Sequence, residues 1–409
     1  MTPHRLTALT ACLLWCAMAP LRAAPYVPPN DQTIVATVRT QIAQGEGSDA
    51  ERTLRHLRAR WLATKATGGA VTVSAPNPQT LNAATAYARA AIEQARREGD
   101  PRWLGAAQAA LAPWWKQDAP PAQVRLLRAI ILQSQHDFDA ALRDLDALVR
   151  DAQAPLATRA QARLTRAGVL QVRGAWQAAA SDCQALAQTV PVESEACLIE
   201  LSSLRGDASA ARLALQQLSQ RAGPHHQAWL ALMRAELAER MGRLEEARSL
   251  YKQALQTAPD TYTLGAYADL LLDQGRLQDV VTLLSPYQQV DGLLLRLAIA
   301  WRALDAPQAT GAIASLQARF DAARLRGERV HLREEARFEL LLKRRADRAL
   351  SLAQANWAVQ KEPADARILM DAARLAARPD VAAQLAQWLR AQGLVDVRLA
   401  RLNNERVTS

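Results

Sequence analysis

Side chains able to do chemistry are few in this chain of 409 residues, and their spacing argues against catalysis. Six histidines are scattered along it, and only His225 and His226 adjoin. Neighbours at a helix start point in different directions, so a metal site there would need acids from elsewhere. A capping or solvent role fits them better. Acidic pairs such as Glu245-Glu246 and Glu334-Glu335 fall at helix starts, where they favour the helix dipole and read as solubilising groups. Glycine-rich phosphate loops, His-Glu-x-x-His, Gly-x-Ser-x-Gly and zinc-spaced cysteine pairs are all missing. The reading is therefore of no enzyme, with no catalytic residue, no metal ligand and no cofactor. Cys183 and Cys197 lie on either side of a break at Val190-Pro191-Val192, so an antiparallel helical hairpin brings them to one height. A structural disulfide is expected, worth about 3 kcal/mol for a loop of this size. Two buried thiols are the alternative.

The start of the chain bears on that disulfide. A basic opening (1–5), an apolar stretch (6–18) and Pro20-Leu21-Arg22-Ala23 have the layout of a secretory signal peptide, residues 1–23, cleaved after Ala23. That places the mature chain in the periplasm or outside the cell, where disulfides persist. The apolar stretch is shorter than the ~20 residues of a membrane span. No transmembrane segment is expected after cleavage. Leu9-Thr10-Ala11-Cys12 offers a competing reading, lipidation at Cys12, but the apolar core continues past that cysteine. The formal net charge of +10, from 50 basic and 40 acidic residues, is spread along the chain. Nucleic acid would need a dense basic stripe with stacking aromatics or a recognisable reading module, and neither is present. The densest basic run, 324–348, is interleaved with Glu328, Glu334, Glu335 and Glu339 and reads as a solvated helix face.

The elements that position these residues are helical. Half the chain is apolar and 22% is charged, with only 17 Gly and 19 Pro, too few turn residues for an all-β chain. A pattern recurs around His136, Gly174, Gly206, Gly242 and Gly275, clearest in Arg240-Met241-Gly242-Arg243-Leu244-Glu245-Glu246-Ala247-Arg248. The period of about 34 residues is that of a helix–turn–helix repeat. Glycine at the turn takes the left-handed conformation that closes the first helix. The apolar residue two positions later (Phe138, Trp176, Leu244, Leu277) fills the space between the helices. Small residues three further on (Ala141, Ala179, Ala211, Ala247) let the helices cross closely. Pro191 and Pro259 are expected to end the second helix. Trp176, Trp229, Trp301, Trp357 and Trp388 fall on apolar faces. Trp114 and Trp115 diverge by about 100° on a helix, which leaves one of them a contact candidate.

These units resemble tetratricopeptide repeats (TPR). Residues 242–260 match the second half of that pattern nearly position for position, while Trp229 falls early, His136 replaces glycine and Val280 replaces alanine. The resemblance implies an all-α, right-handed α-solenoid of about ten helix–turn–helix TPR-like repeats. After the signal peptide come an extended tail (24–32) and degenerate N-terminal hairpins (33–120) with a loop at 65–78. The TPR repeats proper span 121–288, followed by degenerate C-terminal hairpins (289–395) and a tail (396–409). In the family, the first helix of each repeat lines a concave face that binds peptides or protein segments. On this register that face carries Gln161, Leu164, Gln171, Glu193, Glu200, Trp229, Leu232, Glu236, Glu239, Tyr262, Asp269 and Asp273. Its mixture of aromatic and acidic groups suits a basic or mixed peptide. The Lys/Asn/Arg carboxylate clamp of chaperone-binding relatives is not found. The expected function is a non-catalytic scaffold of the bacterial cell envelope that binds a protein or peptide partner. The alternative is an accessory subunit of an envelope enzyme or export complex whose active site lies on another chain.

Overall fold

The computed structural model describes residues 49–67, 77–257, 259–327, 331–394 and 396–399, and from Ala50 onward they form one compact unit. The signal peptide, the tail at 24–32, most of the loop at 65–78 and residues 400–409 lie outside the described residues. Helix α1 (Asp49–Thr67) precedes α2 (Pro78–Glu98), α3 (Arg102–Ala110) and the short α4 (Ala112–Trp115). Helical hairpins follow in series: α5 (Ala122–Ser134) with α6 (Phe138–Arg150), α7 (Leu156–Val172) with α8 (Trp176–Gln184), and α9 (Pro191–Leu204) with α10 (Ala208–Arg221). Next come α11 (Gln227–Arg240) with α12 (Leu244–Thr257) and α13 (Thr261–Asp273) with α14 (Leu277–Leu284). The series continues with α15 (Asp291–Ala303) and α16 (Gln308–Leu325), α17 (Leu332–Arg337) and α18 (Ala346–Val359), and α19 (Pro363–Leu375) and α20 (Pro379–Gln392). No strand occurs among the described residues. The architecture is an all-α solenoid.

One turn is used throughout. His136, Gly174, Gly206, Gly242 and Gly275 all have positive φ, and so do Asp305, Arg344 and Ala377 at the same place in the last three hairpins. In each, the next backbone N–H reaches back to a carbonyl of the first helix: Arg243 to Ala238 at 2.8 Å, Ala306 to Trp301 at 2.9 Å and Arg378 to Ala373 at 2.8 Å. That bond satisfies a carbonyl the helix end would otherwise leave open. Arg345 reaches one residue further, to Glu339 at 2.8 Å, because the π-helical stretch Phe338–Leu342 inserts an extra residue before the turn. Beyond each turn the close-crossing positions Ala141, Ala179, Ala211, Ala247 and Val280 are buried.

Several expectations are corrected. Pro191 opens α9 rather than ending the helix before it, a position where its missing N–H costs nothing. Trp114 is buried and Trp115 half-buried against the N-terminal core. The basic run at 324–348 is not simply a solvated face. Arg333 bonds to Glu362 at 2.9 Å and Arg337 to Asp269 at 2.9 Å. Nor are Glu334 and Glu335 outward solubilisers: Glu335 is 6% exposed and pairs with Arg324 and Arg348. Burial opposes ionisation of Glu334, but Arg333, His331 and Arg296 outweigh it and hold the carboxyl down to about 2. Cys183 and Cys197 are joined, Cα to Cα 6.0 Å, tying α8 to α9.

The last hairpins fold back across the turns of earlier ones, in order. Gln360 bonds to His136 at 3.1 Å, and the Lys361 N–H donates to the Val172 carbonyl at 2.7 Å. Trp388 meets Trp176 edge-on at 5.9 Å and Trp357 at 5.0 Å. Gly393 lies against the Arg205–Gly206 turn, and Val397 against Gly242. On the other side, the Thr261 hydroxyl donates to the Arg96 carbonyl at 3.2 Å, joining α13 to α2.

Candidate partner-binding groove

The positions on α7, α9, α11 and α13 expected to line a groove fall into two sets. Downstream, every acid is paired. Asp269 accepts from Arg296 at 2.6 Å and from Arg337 at 2.9 Å. Burial alone would raise its pKa, but the two guanidiniums outweigh burial and hold it well below the usual range. Asp273 takes both guanidinium nitrogens of Arg367. Glu239, 4% exposed, accepts from the Tyr251 hydroxyl at 2.7 Å and from Arg398. These arginines sit on α15, α17, α19 and the segment after α20, so the chain bridges this stretch with its own side chains.

Upstream, Glu200 and Glu236 have neutral hydrogen-bond donors. Glu236 accepts from the Tyr262 hydroxyl at 2.7 Å, and Glu200 from the Gln171 amide at 2.9 Å. Neither forms an ion pair with a described residue. The charge of Arg240, 7% exposed, favours ionisation of both without outweighing burial, and its guanidinium spends a nitrogen on the Ser203 hydroxyl at 2.6 Å. Its Nε has no partner among the described residues. Burial, reinforced by the charge of Glu200, raises Glu236 to about 7, and burial likewise raises Glu200. The charge of Glu236 raises the Tyr262 hydroxyl in turn. Two aromatic rings border this acidic stretch: Trp229, 36% exposed, and Tyr262, 57% exposed.

The remaining positions frame it. Gln161 is exposed and Leu164 half-buried. Leu232 packs on the central core. Glu193 meets His226 Nε2 at 3.1 Å, and the His225 ring lies tilted against that of His226, centroids 3.8 Å apart. No group of three or more His, Cys, Asp or Glu side chains able to hold a metal occurs among the described residues. Sequence reasoning missed the arginines that answer the downstream acids. No local spacing marked them: Arg337 shares a helix face with Arg333, but Arg333 pairs with Glu362 instead.

No family model matches the chain, and no curated protein sequence matches it. Among solved structures it is similar to a Rap protein complexed with competence and sporulation factor, at 13% identity and a TM-score of 0.45, covering 86% of this chain and 99% of that one. It is also similar to the APC/C hetero-tetramer Cut9-Hcn1, at 14% identity and a TM-score of 0.41, covering 84% of this chain and 71% of that one. A third likeness is to the human IFIT1 dimer with m7Gppp-AAAA, at 13% identity and a TM-score of 0.32, covering 84% and 95%.

Proposed function

We propose that this chain is a non-catalytic scaffold of the bacterial cell envelope that binds a basic segment of a protein partner along the inner face of α9, α11 and α13. The observation that carries the reading is the contrast at Glu236. Half-buried, it has a tyrosine hydroxyl and no ion pair with a described residue, while Glu239, Asp269 and Asp273 each have an arginine. A carboxylate in that setting is costly unless paired. A lysine or arginine brought by a partner would supply the missing charge, and Trp229 and Tyr262 would cover its apolar stem. The disulfide suits an oxidising compartment, in keeping with the expected signal peptide.

The test is photo-crosslinking in the native envelope, with a photo-reactive residue at Trp229, Glu236 or Tyr262 and at Arg248 on α12 as control. One shared adduct from the three inner positions and none from Arg248 is the expected result. Binding should also be linked to protons. A ligand cation favours ionised Glu236, so affinity weakens as pH falls through about 7, by up to about tenfold per pH unit. Equal adducts at all four positions, or none, would sink the reading.

A further inference from the structure

The groove acid Glu239 already has an occupant, and the occupant belongs to the chain. After α20 the backbone turns at Gly393, where φ is 71°, and runs beneath the turns of α9–α10 and α11–α12. A Cβ placed on Gly393 would stand 3.0 Å from the Arg205 carbonyl oxygen, and one on Gly242 would stand 3.2 Å from a Val397 methyl. Arg398 reaches Glu239 Oε1 with one nitrogen and grips Asp396 with two others, at 2.9 and 2.6 Å. The described hydrogen bonds of this segment's own backbone stay local: Leu394 to Leu389 at 3.1 Å, Arg398 N–H to the Asp396 carboxylate at 2.9 Å and Leu399 to Asp396 at 3.1 Å. Its grip on the solenoid is therefore made by side chains. Val397 lies on a turn glycine, Arg398 on an inner carboxylate, and Leu394 and Leu399 on apolar clusters.

A helical turn (397–399) that sets a small branched side chain on a turn glycine and an arginine on the carboxylate one helical turn earlier makes the contacts a bound ligand would make. We propose that Glu239 and Gly242 form an arginine-reading subsite of the groove, and that Val397 and Arg398 fill it as an intramolecular ligand which a partner's arginine-bearing segment displaces. This rests on the groove reading above and specifies its regulation. Glu236 and Glu239 lie one turn apart on α11, so a partner seated on Glu236 and running toward the α11–α12 turn meets Arg398. A tethered ligand acts at a high local concentration, so the partner's apparent affinity is scaled down to the fraction of chains in which the segment is unseated.

Hydrogen exchange on the full-length wild-type chain tests the detachment directly. Amides of 397–399 should exchange at least tenfold faster than the hydrogen-bonded amides of α11; equal protection would make the segment a fixed part of the core and overturn the proposal. The second measurement uses a fluorescein-labelled synthetic peptide of residues 393–399. It should bind an Arg398→Ala chain, verified folded by circular dichroism, at least tenfold more tightly than wild type. The gain should vanish when Glu239→Gln is added or when the peptide's arginine is replaced by alanine. Equal binding to both chains, or binding to neither, overturns the subsite. Crosslinking at Trp229 and Tyr262 does not depend on either result, so failure of this subsite and failure of the groove reading remain distinguishable.

Discussion

Glu236 and Asp269 are both acids on inner positions of neighbouring helices, yet their surroundings have opposite effects. Burial opposes ionisation of each. At Asp269 two arginines outweigh that cost, and the carboxylate becomes a bridge between α13, α15 and α17. At Glu236 the tyrosine hydrogen bond does not suffice, and the carboxyl titrates near neutrality. The downstream acids are thus tied to later helices by charge, and Glu236 has no ion pair with a described residue. An acid on an inner helix face reads as a binding residue in either case. What decides is whether a later helix of the same chain supplies the cation.

That contrast can be broken at its strong end. Asp269→Asn leaves Arg296 and Arg337 facing each other without a counter-charge, and stability in urea unfolding should fall by about 3 kcal/mol. Because the Asp269 pKa is depressed, its contribution is full above about pH 4, the range of an unfolded carboxyl, and is lost only well below it. Glu236→Gln should act in the opposite direction. A raised carboxyl favours the folded state below its unfolded pKa and loses that advantage as pH rises through about 7. The substitution should therefore stabilise by about 2 kcal/mol at pH 8, allowing for partial access of water, and be near neutral at pH 4. A Glu236→Gln chain less stable than wild type at pH 8 would mean that an unseen cation already pairs there. The smallest effect separates covered from open turns. Gly275→Ala forces a left-handed alanine into open space, costing about 1 kcal/mol. Gly242→Ala adds the Val397 contact and should cost about 2 kcal/mol in thermal unfolding. Equal losses would argue that the segment after α20 yields freely.

The central hairpins were legible because glycine marks their turns and alanine their crossings. The last three were harder to see for a definite reason. Asp305, Arg344 and Ala377 adopt the left-handed turn without being glycine, so the backbone repeats where the sequence does not. The disulfide could be read because both cysteines flank one break. The ion pairs that sort the groove could not. Arg337 meets Asp269 across 68 residues and Arg367 meets Asp273 across 94. Such pairings depend on how the helices stack over several repeats, and no local pattern encodes that.

Fold-back changes what kind of folding unit this is. A linear repeat array unzips from its ends, because each repeat touches only its neighbours. Here Thr261 reaches Arg96 across 165 residues and Gln360 reaches His136 across 224. The first and last hairpins are thereby tied to the middle, and the terminal hairpins lose the independence that end-fraying requires. Closing such long loops comes late, so assembly should be slow for a helical protein. Once assembled, the repeats should melt together in one cooperative step instead of peeling away one at a time.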